Sequence, residues 1–104
     1  MYKVYRTETF DKQVKKLPKE EQKQIARIEY QLKINPFVGK PLGYKFFREK
    51  KIRGKRVYYL VYEDLVIVLL VGLSGKKTQQ ATIEAIKNKI PDYYEAVKKV
   101  LKSY

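Results

Sequence analysis

Cysteine does not occur in the 104-residue chain. Disulfides and thiolate catalysis are therefore excluded. Histidine is also absent, which removes the usual general base near neutral pH and the commonest zinc ligand. A metal site would have to be built from carboxylates, and the 11 acidic residues are scattered. No metal or other cofactor is expected. No apolar run approaches the roughly 18 residues of a membrane span. Met1 to Arg6 alternates like a strand and lacks the apolar region of a secretory signal. The expectation is a cytoplasmic protein with no membrane partner.

What the chain has in excess is positive charge. Lysine and arginine number 24, and the formal net charge is +13. Charge of that size on a small chain acts over the whole surface and draws polyanions. Nucleic acid or an acidic protein is the natural partner. The plainer alternative is a solubility surface, such as that of a heat-adapted protein, since lysine is abundant and asparagine scarce. Apolar and aromatic residues make up 44% of the sequence, which is ordinary for a globular protein. A length of 104 residues suits a single domain, 1–104, with one modest core.

Tyr2 to Arg6 reads as a first strand. Thr7 or Thr9 can cap the helix that follows, a hydroxyl accepting a free backbone N–H. Phe10, Val14 and Leu17 fall at i, i+4 and i+7, one helical stripe. Pro18 ends that helix and can open the next, because its missing N–H is tolerated there. Glu20 and Glu21 suit the positive end of the second dipole. Ile25, Ile28 and Leu32 form the stripe of this helix, which Asn35-Pro36 stops. Phe37 to Gly43 reads as a linker to the sheet. Tyr44 to Lys51 is expected to be the next strand, turning over Ile52 to Lys55, and Val57 to Tyr62 another. Glu63-Asp64 would make a tight reversal. Leu65 to Val71 is apolar throughout, as for a central strand covered on both faces. A turn through Ser74-Gly75 leads to a helix near Gln79, with Ile83, Ile86 and Ile90 on its stripe. Pro91 opens a last helix, along which Tyr93, Val97, Val100 or Leu101, and Tyr104 recur at helical spacing. The order β-α-α-β-β-β-α-α indicates an α+β fold: a small, mainly antiparallel sheet, an N-terminal helical hairpin and C-terminal helical structure.

Two cationic clusters stand at the ends of this sheet. Lys40, Lys45, Arg48, Lys50, Lys51, Arg53, Lys55 and Arg56 lie in one run, with Glu49 its only acid. Side chains alternate along a strand, so Lys45, Phe47, Glu49 and Lys51 would share one face, and Arg48 and Lys50 the other. Arg53 to Arg56 set three cations around Gly54, a tip suited to gripping phosphate. The bland alternative is a charged tip that protects an edge strand. The second cluster, Lys76-Lys77-Thr78-Gln79-Gln80, falls where a strand ends and a helix begins. Free N–H groups at a helix start favour anions, although Thr78 is equally explained as an N-cap.

The element order and these residues together resemble the RelE/ParE superfamily of type II toxin–antitoxin toxins. Phe47 to Tyr59, with its charged strand, short turn, Arg56, Val57 and Tyr58, matches that family's recurring segment. Lys76-Lys77-Thr78-Gln79 after the last long strand looks like the HigB-type and archaeal branches. Tyr2 to Leu17, with Thr7, Phe10 and Lys12, also fits, so the resemblance spans nearly the whole chain.

The resemblance implies a ribosome-dependent messenger-RNA endonuclease that needs no metal and no histidine, inhibits translation and is neutralised by an acidic cognate antitoxin. Cleavage would be attack by the RNA 2′-hydroxyl on the neighbouring phosphate, with a lysine as base and an arginine stabilising the charge on phosphate. Carried over, Arg56 matches the family's turn arginine. RelE-like members have an arginine just after the last strand and a tyrosine several residues on. Here those places hold Leu73-Ser74 and Gln80. Lys76 and Lys77 stand in for that arginine, and Tyr58 is the candidate for the tyrosine. Arg48, Lys51, Arg53, Lys55 and Gln79 are the expected RNA contacts. Two other readings share the sequence: a ParE-like inhibitor of DNA gyrase, and a basic RNA- or ribosome-binding module without cleavage.

Overall fold

The computed structural model describes residues 1–102, so the expectation for Tyr104 lies outside the described residues. The elements are β1 (Lys3–Arg6), α1 (Glu8–Lys15), α2 (Lys19–Ile34), β2 (Lys40–Tyr44), β3 (Phe47–Ile52), β4 (Lys55–Tyr62), β5 (Ile67–Gly75), α3 (Gln79–Asn88) and α4 (Ile90–Lys102). The five strands form one sheet in the order β1-β5-β4-β3-β2. The pairs β2–β3, β3–β4 and β4–β5 are antiparallel, and β1 joins β5 in parallel. The α+β expectation therefore holds, with a mixed sheet.

Local chemistry sets the boundaries. Thr7 caps α1, its hydroxyl accepting the Phe10 N–H at 3.1 Å. Thr78 holds the N-cap position of α3 but makes no side-chain capping bond. Pro18 opens α2 as its N-cap residue.

The linker expected over Phe37 to Gly43 contains an edge strand. Lys40 and Pro41 pair with Glu49 and Arg48, and Tyr44 with Phe47. Pro41 is tolerated because it lies on an edge. The strand expected from Tyr44 is thus two strands, with the bend at Lys45-Phe46. The last strand is also displaced. Leu65 and Val66 belong to a four-residue turn with Glu63 and Asp64, and β5 continues through Gly72 to Gly75. Hydrophobicity located the strand's core but not its polar extension.

Each face of the sheet carries a helical pair. Phe10, Val14, Ile25, Ile28 and Leu32 from α1 and α2 pack on Val57, Tyr59, Val61, Val68 and Leu70. Ile83, Ile86 and Val97 from α3 and α4 pack on Phe47, Tyr58, Leu60, Ile67, Leu69 and Val71. Ile67 and Val68 are both buried, as a strand covered on two faces requires. Burying one such side chain contributes about 1.5–3 kcal/mol.

One irregularity positions the site. Tyr59 pairs with Leu70 but Tyr58 pairs with Gly72, which leaves Val71 as an extra residue. This bulge reverses the alternation of β5. Before it, Ile67, Leu69 and Val71 face α3 and α4. Beyond it, Ser74 takes that face, bonded to Tyr58, while Leu73 packs on the opposite core.

Candidate functional site

The register draws the two cationic clusters to one end of the sheet. Lys55 pairs with Ile52 and with Gly75, so the Arg53-Gly54 tip lies beside the residues leading to Lys76 and Lys77. Arg56 sits between Lys51 on β3 and Ser74 on β5. The tip is tight: Arg53 and Gly54 have φ of 32° and 72°. Lys51, Arg53, Lys76 and Lys77 are exposed, open to a polyanion.

The other expected contacts are differently placed. Lys55 pairs with Glu21 of α2, fixing the tip to the helical hairpin. Arg48 points to the opposite end and face, where its guanidinium donates to the Gly39, Lys45 and Phe37 carbonyls at 3.0, 2.9 and 3.1 Å. It also lies over the Phe37 ring, 5.2 Å from its centre. Each of its three nitrogens donates to a carbonyl, so Arg48 braces the 37–45 segment.

Tyr58 also lies away from the open cationic surface. The side chain is fully buried, and its hydroxyl lies 2.7 Å from Ser74 Oγ, with either oxygen able to donate. Burial pushes its pKa up, against the lowering effect of the Ser74 bond. A buried, neutral phenol committed to Ser74 is a strut between β4 and β5, not an acid open to RNA.

A residue that sequence reasoning left unassigned lies at the centre. Glu49 is only 3% exposed. Its Oε1 is 3.9 Å from Arg56 Nε, and its Oε2 accepts from the Gln79 amide at 3.3 Å. Gln79 therefore turns inward to the carboxylate. Arg56 is itself 11% exposed in its side chain, and its Nε makes no hydrogen bond. The signal for Glu49 was present: a lone acid in a basic strand, in phase with the buried Phe47. Among the described residues, no cluster of acidic side chains is arranged to hold a metal ion. Among the described residues, no helix is long and apolar enough to cross a membrane.

The fold is that of the small RelE toxins. Isolated E. coli RelE superposes with a TM-score of 0.67 at 21% identity, covering 86% of this chain and 100% of RelE. A chain of the intact E. coli RelBE toxin–antitoxin complex gives 0.66 at 22% identity, over 72% of this chain and 96% of that one. A RelBE complex from Mycobacterium tuberculosis gives 0.64 at 22% identity, over 72% and 91%. No protein-family model matches the sequence, and no curated protein matches it.

Proposed function

We propose that this chain is the toxin of a type II toxin–antitoxin pair and cleaves messenger RNA on the ribosome without a metal. The observation that carries the reading is the strand register that sets Arg56 beside Lys51 and Ser74, with the Arg53-Gly54 tip next to Lys76 and Lys77. The RelE fold supports it. In the proposed reaction the 2′-oxygen attacks the neighbouring phosphorus, the bond to the 5′-oxygen breaks, and that oxygen leaves as a 5′-hydroxyl with a proton from water, while the other fragment ends in a 2′,3′-cyclic phosphate. Arg56 stabilises the charge that builds on the phosphate oxygens. Lys76 or Lys77 takes the 2′-hydroxyl proton, and Lys51 and Arg53 hold the flanking backbone. RelE in the E. coli and M. tuberculosis complexes is bound to an antitoxin. The partner proposed here is an acidic antitoxin segment that competes for the same cations.

Purified protein added to programmed ribosomes is expected to cut the message within the A-site codon, and Arg56→Ala to slow the cut by about 100- to 1,000-fold. Intact message at stoichiometric protein overturns the reading.

The buried position of Tyr58 favours a second reading, a toxin of this fold that binds without cutting. No tyrosine is open at the cationic end among the strand residues Lys51 to Tyr59 and Leu70 to Gly75. Growth arrest on expression with intact message ends selects this reading, and inhibition of DNA supercoiling would then identify gyrase as the target.

A further inference from the structure

We propose that Glu49 is a positioning residue, whose buried carboxylate orients Arg56 toward an RNA phosphate and ties it to Gln79 at the start of α3. The inference rests on the reading of Arg56 as the group that meets phosphate.

Packing does not call for a carboxylate here. The same face carries Phe47, Tyr58 and Leu60, and an apolar residue at position 49 would suit them. Burying a carboxylate is costly unless a cation and hydrogen bonds compensate it. Compensation is slack in this case. The ion pair with Arg56 spans 3.9 Å, beyond hydrogen-bond length, and the one amide bond is 3.3 Å long.

The carboxylate is explained by what it does to Arg56. Lys51, Arg53, Lys76 and Lys77 gather at this end of the sheet, and each repels a further cation, while Lys55 is already paired with Glu21. Glu49 is the countercharge beneath Arg56. Attraction at Nε turns that edge of the guanidinium inward and leaves the terminal nitrogens for a phosphate. The Gln79 amide anchors the other carboxylate oxygen, so the orientation of Arg56 is coupled to the α3 N-terminus.

The test is a double-mutant cycle with a probe of Arg56 itself. Glu49→Gln keeps the shape and an acceptor for Gln79 while removing the charge. In the wild type the Arg56 Nε–H resonance is expected to shift on titration with a deoxy-substituted, uncleavable RNA oligonucleotide. In Glu49→Gln that shift is expected to be lost, and in Glu49→Asp to return in part.

Message cleavage by Glu49→Gln is expected to fall about 10- to 100-fold at saturation, the size of loss seen when the partner that orients a metal ligand is removed. The half-saturating concentration should remain near the wild-type value. Added to Arg56→Ala, the same change should produce no further fall. Equal shifts of the Arg56 resonance in wild type and Glu49→Gln overturn the proposal, as do losses that add in the double mutant. A wild type that cuts nothing, yet shows the Glu49-dependent shift, defeats only the cleavage reading.

Discussion

The hydroxyl of Tyr59 lies 3.0 Å from the amide nitrogen of Gly39 and accepts its proton. The same hydroxyl donates to the Pro36 carbonyl at 2.7 Å. A β-carbon at position 39 would stand 2.6 Å from that hydroxyl and 2.5 Å from the Glu49 carbonyl oxygen. Tyr59→Phe should therefore leave buried backbone groups unpaired and lower stability by about 1–3 kcal/mol. Gly39→Ala should cost a similar amount through overpacking, about 1–3 kcal/mol. Urea unfolding checks both, and an unchanged midpoint in either would refute the geometry.

Arg48 and Lys51 are expected to respond oppositely. Arg48→Ala removes three bonds to carbonyls and should lower the melting temperature while leaving the salt dependence of RNA binding unchanged. Lys51→Ala should leave melting unchanged and reduce the slope of log K against log salt by about 0.7, the value for one contact to a single strand. A reduced slope in Arg48→Ala would make it an RNA contact after all.

Val66 has φ of 56° and is 44% exposed. A β-branched residue is strained in this left-handed conformation, by roughly 1–2 kcal/mol. Val66→Asn should raise the melting temperature, because the strain is relieved and little packing is lost. A drop on thermal unfolding would contradict the turn.

Burial pushes the Tyr58, Tyr59, Tyr62 and Tyr93 hydroxyls above the ordinary tyrosine pKa. Each raised value favours the folded state fully below the unfolded pKa of about 10. That advantage is lost as pH rises through the folded values, where the unfolded chain has released more protons. Alkaline absorbance titration should show these tyrosines ionising late, together with loss of helical circular dichroism. Ionisation of all tyrosines near pH 10 with the helical signal intact would contradict their burial.

Much of the fold was legible because apolar period survives in the sequence. The stripes Phe10–Val14 and Ile25–Ile28–Leu32 located their helices and core contacts. The edge strand β2 was hidden because Lys40-Pro41-Leu42-Gly43-Tyr44 has a linker's composition, and only pairing with β3 makes it a strand. Arg56 and the cations beside it were legible from charge density around a glycine. The roles of Arg48 and Tyr58 were not, since each depends on a partner distant in sequence: the carbonyl at Gly39 for one, the hydroxyl of Ser74 for the other. Glu49 was visible only as an exception in a basic run.

The extra residue at Val71 gives β5 two phases, one on each side of it. Up to the bulge Ile67, Leu69 and Val71 face α3 and α4, and past it Ser74 holds that side while Leu73 turns to the other core. A single insertion between Gly72 and Gly75 would exchange the two sides of that terminal segment, turning Ser74 away from Tyr58. A two-residue insertion would restore the sidedness. The Glu63–Val66 turn at the far end of the strand carries no such parity. Variation in loop length should therefore be free at one end of this sheet and quantised in pairs at the other.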